Sequence, residues 1–183
     1  MSRELPHSTE AEQSILGAMM IYPSVTSVVY DQGLDARDFY LDIHQRIFSA
    51  MMDITDSGKP VDVTTLIARL QDIEQLNLVG GADYIIKLSD TAISSANSVY
   101  YIEMIKSRAH LRRLIEAAEQ IAEDGFDTAN DLDEIMDKAE RDILNVTRSR
   151  RATDFKSSRE VVSNVMHPYR SQYQGYRTGK TVA

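Results

Sequence analysis

The 183-residue sequence contains no cysteine, so disulfide bonds do not hold the fold together. It also has no uninterrupted run of 18 apolar residues, the usual mark of a membrane-spanning helix. The first residues lack the charged and then apolar leader of a secreted protein. These absences indicate a cytoplasmic protein with no membrane partner.

Strand signals are scarce as well, because no long stretch alternates apolar and polar residues with β-branched enrichment. Apolar residues instead recur at intervals of three and four along most of the chain. The 43% of hydrophobic residues is ample for a core. The sequence therefore predicts an all-α fold: a compact helical bundle, then a long helical hairpin, then a linker with a short helix.

Charge is unevenly distributed along the chain. Residues 148–183 carry eight of the 20 Lys and Arg residues but only two of the 28 Asp and Glu residues. The acidic body that precedes them repels the phosphate backbone of nucleic acid. We therefore expect the chain to bind DNA weakly or not at all, with the basic tail acting as a soluble linker or as a minor contact.

Patterns that mark catalytic or ligand sites are missing. The final "GYRTGKTVA" holds Gly179, Lys180 and Thr181, the end of a phosphate-binding loop, but only three residues separate Gly175 from Gly179. The preceding "HPYRSQYQ" does not have the pattern of a buried strand. His44 lies among the apolar positions of its helix and is interpreted as a core residue. With no Ser-His-Asp set or metal-ligand spacing, we predict no catalytic, cofactor or metal site in this chain.

Residues 1–97 are predicted to form the globular lobe. Thr9 and Glu12 have the spacing of a capping box at the start of the first helix. Thr64 or Thr65 is the predicted cap of a later helix that contains buried leucines. Breaks between helices are predicted at Pro23, Gly33, Gly58 and the pair Gly80-Gly81.

Residues 98–147 are predicted to form the helical hairpin. "SVYYIEMIKSRAHLRRLIEAAEQIAEDG" gives about 25 helical residues, on the order of 37 Å in length. After "FDTAND" a second amphipathic stripe follows. Two helices cover only a narrow seam of each other, so we expect another copy to complete a four-helix arrangement. The predicted self-association residues are Leu111, Leu114, Ala118, Leu132, Ile135, Met136, Ala139 and Ile143.

An alternative is that the hairpin folds back and completes a bundle with the lobe. The choice depends on "KSRAHLRR", the middle of the first hairpin helix. If this segment is a solvated bridge, the hairpin projects from the lobe; if it is core, the hairpin does not. Residues 148–183 form the predicted basic linker, in which a thin apolar stripe from Val161 to Tyr169 predicts one short helix.

Six segments, in this order, resemble the amino-terminal domain of bacterial and phage DnaB-type replicative DNA helicases. They are "EAEQSILGAMM", "DFYLDIHQRIFSAM", "GKPVDVTTL", "LVGGADYI", "SANSVYYIEMIKSRAHLRRLI" and "IAEDGFD". The resemblance covers about residues 6–175. It implies an all-α lobe followed by a hairpin, with hairpins pairing so that six copies form a collar as a trimer of dimers.

The resemblance also implies partners and missing parts. In the family the collar sits on an ATP-driven motor ring and receives primase and, in some systems, helicase loaders. The chain ends where that motor would begin, so ATP and Mg belong to the family's motor domain and not to this chain. We expect the chain alone neither to hydrolyse ATP nor to unwind DNA. Positions that match the family's primase contacts are Glu10, Tyr84, Ile115 and Ile121, and Arg112 and Arg113 are expected on a solvated face or in an ionic contact to a partner.

Two further functions compete with this assembly and docking role in DNA replication. One is a small helical DNA-binding regulator that reads DNA with "DVTTLIARLQDIEQL" and grips phosphate with the basic tail. That helix has few basic side chains that could contact bases or phosphates, which argues against a DNA-binding regulator. The other is a motor-less decoy that joins helicase rings and regulates them.

Overall fold

The computed structural model describes residues 4–92, 94–126 and 131–148. The predicted linker with its short helix, and the "GKT" at the end of the chain, lie outside these residues. The described part contains α-helices and short 3₁₀ turns and no strand, which confirms the predicted all-α class. The seven helices are α1 (Thr9–Ile21), α2 (Pro23–Asp31), α3 (Asp42–Asp56), α4 (Val63–Asp72), α5 (Gly81–Asp90), α6 (Ser98–Phe126) and α7 (132–148).

Helix α1 is the centre of the lobe, because it packs against α2, α3, α5 and α6. Its residues Ile15, Leu16 and Met19 are fully buried. Gly17 allows α5 to approach closely, since a Cβ at this position would lie 2.2 Å from the carbonyl oxygen of Leu88. The core is completed mainly by Ile47, Met51, Leu66, Leu70, Ile85, Ile102 and Ile105.

Two predicted caps are wrong. Helix α1 is capped by Ser8, whose side chain accepts a hydrogen bond from the Ala11 N–H, whereas Glu12 is turned into the core. The cap of α4 is Asp62, which forms a reciprocal capping box with Thr65. In both cases the true cap lies one or more residues before the predicted one. Adjacent Ser, Thr and Asp residues can all serve as caps, so the sequence alone does not single out the correct one.

The middle of α6 is packed against the lobe and is not a solvated bridge. Ile102 and Ile105 belong to the core, and Ala109 is buried one turn later. The helix continues past this docked half with residues that are exposed or half-buried, so its outer half is not covered by the lobe. The expectation that packing of "KSRAHLRR" would keep the hairpin from projecting is therefore wrong, because only the first half of α6 is docked. The lobe therefore includes the first half of the helix that the sequence assigned wholly to the hairpin after residue 97.

Helix α7 returns antiparallel along α6. Near the tip of the hairpin, the Nζ of Lys138 lies 2.5 Å from a carboxylate oxygen of Asp124. Near its base, Asn145 and Val146 border a surface cavity together with Lys106 of α6. The ion pair at the tip and the cavity that both helices border at the base place α7 beside α6, in the hairpin that the repeated stripes predict.

Candidate partner-docking site

A buried polar chain crosses the lobe and ends at Tyr84, one of the predicted docking residues. The side chain of Glu12 is 1% exposed and that of His44 is fully buried. Glu12 Oε2 lies 2.7 Å from Nδ1 of His44, and His44 Nε2 lies 2.8 Å from the hydroxyl of Tyr84. The same hydroxyl accepts a longer hydrogen bond of 3.3 Å from Gln13. These hydrogen bonds therefore connect α1, α3 and α5, from the interior of the lobe to the half-buried Tyr84.

Local sequence explains why two polar side chains lie in the core. Glu12 precedes Ile15, Leu16 and Met19 with the spacing of a single buried helical face. His44 has the same relation to Ile47, Phe48 and Met51 on α3. A carboxylate and an imidazole at the apolar positions of two facing helices indicate a buried pair. Only His44 is interpreted from the sequence as a core residue.

The carboxylate of Glu12 has further partners in the backbone. Its Oε1 accepts a hydrogen bond of 2.7 Å from the N–H of Tyr40, in the turn that precedes α3. The ring of Tyr40 is stacked on His7 and lies 5.6 Å from the guanidinium carbon of Arg112. Glu12 thus helps to position the turn at Tyr40, which packs against Arg112 of α6.

Arg112 anchors α6 to the lobe. It is 7% exposed and donates hydrogen bonds to the carbonyl oxygens of Pro6 and Asp38, at 2.8 and 2.6 Å. Burial lowers the pKa of Arg112, with Glu12 and Asp38 acting in the opposite direction. Arg113 forms an ion pair with the Asp38 carboxylate at 2.5 Å. The expectation of a solvated face is wrong for Arg112, because its guanidinium is used within the chain.

Asp35 and Asp38 shape the turn beneath this anchor. The carboxylate of Asp35 accepts hydrogen bonds from the backbone N–H and the Nε of Arg37, both at 2.9 Å. The hydrogen bond to the Arg37 side chain lowers the pKa of Asp35. The carboxylate of Asp38 accepts the Asp35 N–H in return, which completes a capping box. Neither aspartate carries a sequence signal that predicted this role.

The other predicted docking residues occupy different parts of the molecule. Glu10 is exposed in the first turn of α1, one turn before Gln13. Ile115 and Ile121 are half-buried on α6, beyond its docked half. Gln13 links α1 to Tyr84, so the lobe has one small surface around Glu10, Gln13 and Tyr84. The two isoleucines belong to the hairpin, and their docking role stays a prediction.

The hairpin exposes much of its apolar surface. Leu114 on α6 is 42% exposed, and Leu132 and Met136 on α7 are 70% and 61% exposed. Other predicted self-association residues divide into an exposed group of Leu111, Ala118 and Ile143 and a half-buried pair of Ile135 and Ala139. Exposure of this set makes it available to a partner, and self-association itself stays a prediction.

Among the described residues, an ion pair between Asp124 and Lys138 joins the two helices near the tip of the hairpin. Lys138 and Gln120 both donate hydrogen bonds to the Asp124 carboxylate. The hydrogen bond from Lys138, followed by that from Gln120, lowers the pKa of Asp124. This pair joins α6 to α7 where the two helices are most exposed.

Within residues 4–92, 94–126 and 131–148, no three His, Asp or Glu side chains are grouped so as to hold a metal ion. No helix among the same residues is both long and apolar enough to cross a membrane. Two surfaces of the described part are candidates for contact with a partner: the Tyr84 region of the lobe and the apolar faces of the hairpin.

Sequence comparison identifies relatives of this chain. A family profile described as the DnaB-like helicase N terminal domain matches residues 4–107. The replicative DNA helicase DnaB of Geobacillus stearothermophilus is 35% identical over 182 residues, and the replicative DNA helicase DnaC of Bacillus subtilis is 31% identical over 182 residues. Each alignment covers 96% of this chain and 40% of the relative, so the chain spans about 40% of the length of these proteins.

Solved structures share the fold. The N-terminal domain of the DnaB helicase from Mycobacterium tuberculosis is 33% identical with a TM-score of 0.74, and the match covers 78% of this chain and 99% of that one. A DnaB-like replicative helicase, described with its interactions with primase, is 23% identical with a TM-score of 0.63. This second match covers 76% of this chain and 31% of the other, and it supports the fold alone.

Proposed function

This chain belongs to the family of DnaB-like helicase N-terminal domains, and on that premise we propose that it acts through interfaces: the hairpin pairs with a second copy, and the lobe and hairpin receive primase. On family resemblance, we assign ATP hydrolysis and DNA unwinding to the part of the relatives that lies outside the 40% covered by the alignment. Pairs of hairpins would build a collar of up to six copies. A helicase loader is a further proposed partner, on family resemblance alone.

The observation that carries the proposal is the exposed apolar surface of the hairpin. Burial of one Leu or Met side chain contributes about 1.5–3 kcal/mol relative to exposure. Leu114, Leu132 and Met136 are each at least 42% exposed in the single chain. Contact with the same face of a second copy would remove this surface from water on both chains, because a two-fold contact is self-complementary.

Sedimentation velocity across a range of concentrations tests self-association. The wild type is expected to form dimers or larger assemblies, and Met136→Glu and Leu114→Glu are expected to shift it toward monomer. Leu78→Glu is the matched control, because Leu78 is 61% exposed on the lobe, outside the hairpin. A wild type that stays monomeric at high concentration would contradict the proposed pairing.

Primase docking is proposed from the family resemblance, which places primase contacts on the lobe and the hairpin; a DnaB-like replicative helicase of the same fold is described with its interactions with primase. The proposed contact residues are Glu10 and Tyr84 on the lobe and Ile115 and Ile121 on the hairpin. Arg112 is left out of the contact set because it is buried against Pro6 and Asp38. Calorimetric titration of primase into the wild type and into Tyr84→Ala tests the lobe contact, with Tyr30→Ala as control for an exposed tyrosine on α2.

Filter binding at low salt separates this proposal from a DNA-binding regulator. The phosphate contacts of such a regulator would give tight retention of duplex DNA that falls steeply with salt. The acidic body of this chain makes weak retention the expected result. Tight and salt-sensitive retention would favour the regulator instead.

A further inference from the structure

We propose that Glu12 and His44 are positioning residues for Tyr84: they hold its hydroxyl toward the interior, so that ring atoms and not the hydroxyl face the partner. The inference rests on the proposed docking role of Tyr84. Neither Glu12 nor His44 reaches the surface, since they are 1% and 0% exposed. Their contribution to docking would therefore act entirely through Tyr84.

The direction of each hydrogen bond follows from counting donors and acceptors. Glu12 accepts the Tyr40 N–H on Oε1 and the Leu41 N–H, at 3.5 Å, on Oε2, as an ionised carboxylate does, so Oε2 is also the acceptor for a proton on Nδ1 of His44. Gln13 donates to the Tyr84 oxygen, which leaves the Tyr84 proton for Nε2 of His44. A neutral imidazole that carries its proton on Nδ1 satisfies every group in this chain.

The opposite arrangement leaves one group unsatisfied. If Nε2 of His44 carried a proton, it would donate to the Tyr84 oxygen, as Gln13 already does. Within the part of the chain that the structure describes, His44 and Gln13 are the hydrogen-bond partners of this hydroxyl. The Tyr84 proton would then lack an acceptor among these residues, and the hydroxyl of the half-buried Tyr84 would have to donate to solvent.

Tyr84 is also fixed at its other end. Gly80 precedes α5 with a φ of 95°, in the left-handed region that favours glycine. A Cβ on Gly80 would lie 3.0 Å from the Tyr84 Cβ and 3.3 Å from its Cγ, so the turn leaves no room for a side chain beside the base of the ring. The ring thus lies close to the turn at its base and is held by His44 and Gln13 at its hydroxyl. A partner therefore meets a fixed, half-buried ring whose hydroxyl proton is already donated to His44.

Nitrogen-15 NMR of the His44 ring tests the positioning directly and needs no partner. The wild type is expected to carry its ring proton on Nδ1. In Glu12→Gln the new amide can donate to Nδ1, so the proton is expected to move to Nε2 and the Tyr84 ring resonances to shift. A wild-type imidazole protonated on Nε2 or on both nitrogens would overturn the proposal, as would unchanged Tyr84 resonances in Glu12→Gln.

A double-mutant cycle tests the effect on docking. Glu12→Gln and Tyr84→Phe are each expected to weaken primase binding about three- to tenfold, the effect of one lost hydrogen bond. The double variant should bind primase no more weakly than the single variant with the lower affinity, because both changes break the same series of hydrogen bonds. Affinity losses that multiply would overturn the positioning role.

The two proposals fail separately. A wild type that does not bind primase would remove the docking function, and the NMR measurement would still decide the position of the His44 proton. If Glu12→Gln does not fold, as judged by circular dichroism, the wild-type NMR result and Tyr84→Phe remain decisive. Tyr84→Leu, which removes the ring itself, should weaken binding more than Tyr84→Phe; equal losses would contradict a contact made by ring atoms.

Discussion

Arg112 is the residue at which the lobe, the turn before α3 and the long helix α6 meet. One planar guanidinium donates to two carbonyl oxygens 32 residues apart in the chain, on Pro6 and Asp38. A lysine has a single ammonium group on a flexible stem and does not reproduce this fork. The anchor therefore depends on the shape of the side chain as well as on its charge.

The first prediction concerns this anchor. Arg112→Leu is expected to lower the free energy of unfolding by about 2–4 kcal/mol, because the buried Asp38 carbonyl and the part-buried Pro6 carbonyl lose charged donors. Arg112→Lys should recover part of this loss. Arg108→Leu, one turn earlier on an exposed position of α6, is the control and should change stability by less than about 0.5 kcal/mol. Urea unfolding gives the three values, and an equal effect at Arg108 would contradict the anchoring role.

A second prediction uses two glycines in helices. Gly17→Ala is expected to destabilise the chain by about 1–3 kcal/mol, because the added Cβ would meet the Leu88 carbonyl oxygen at 2.2 Å and push α1 from α5. Gly125→Ala is the matched change in open space near the end of α6. There the better helix propensity of alanine should stabilise by about 0.5 kcal/mol. Thermal unfolding distinguishes the two, and stabilisation by Gly17→Ala would contradict the close packing.

Among the elements, the hairpin depends most on contacts at its two ends. Its base is fixed on the lobe through Ala109, Arg112 and Arg113, while its tip is joined by the Asp124 and Lys138 pair. Between them, residues of both helices are exposed or half-buried. Few buried contacts and exposed backbone hydrogen bonds make local opening of the tip easier than opening of the lobe.

The third prediction follows from the lowered pKa of Asp124. A carboxyl whose folded pKa lies below its ordinary value of 3.8 stabilises the hairpin above that value, and this stabilisation is lost as the pH falls below it. NMR titration should show that Lys138→Gln raises the pKa of Asp124 toward the ordinary value. Asp35, whose pKa is lowered by Arg37 at the base, is the control and should not move. An unchanged Asp124 titration in Lys138→Gln would contradict the tip contact.

Element types and most boundaries were predictable because their signals are local. Pro23 and Gly58 interrupt apolar stripes, and the stripes themselves repeat at the helical period. The partner of Glu12 was not predictable in this way. Its spacing from Thr9 suits a capping box, and the competing partner His44 lies 32 residues later, where only the folded chain brings it to 2.7 Å. The docking of α6 through Arg112 was missed for the same reason, since its acceptors are distant in sequence.

At the scale of the whole molecule, an acidic body with an exposed apolar hairpin is suited to contacts with other proteins. The lobe buries its own polar chain, and its core is continuous from α1 to the docked half of α6. The hairpin beyond Arg113 lacks comparable cover within the described residues. Association between chains should therefore stabilise the hairpin against unfolding far more than it stabilises the lobe.

The last prediction measures that linkage. If hairpins pair, the folded assembly is favoured by mass action, and the melting temperature should rise by about 1–3 °C for each tenfold increase in protein concentration. Met136→Glu should abolish this dependence, because it places a charge on the apolar face that is 61% exposed in the single chain. Leu78→Glu on the lobe should retain it. A melting temperature that is independent of concentration in the wild type would mean that the hairpin does not pair in this range, and an equal loss in Leu78→Glu would place the contact outside the hairpin.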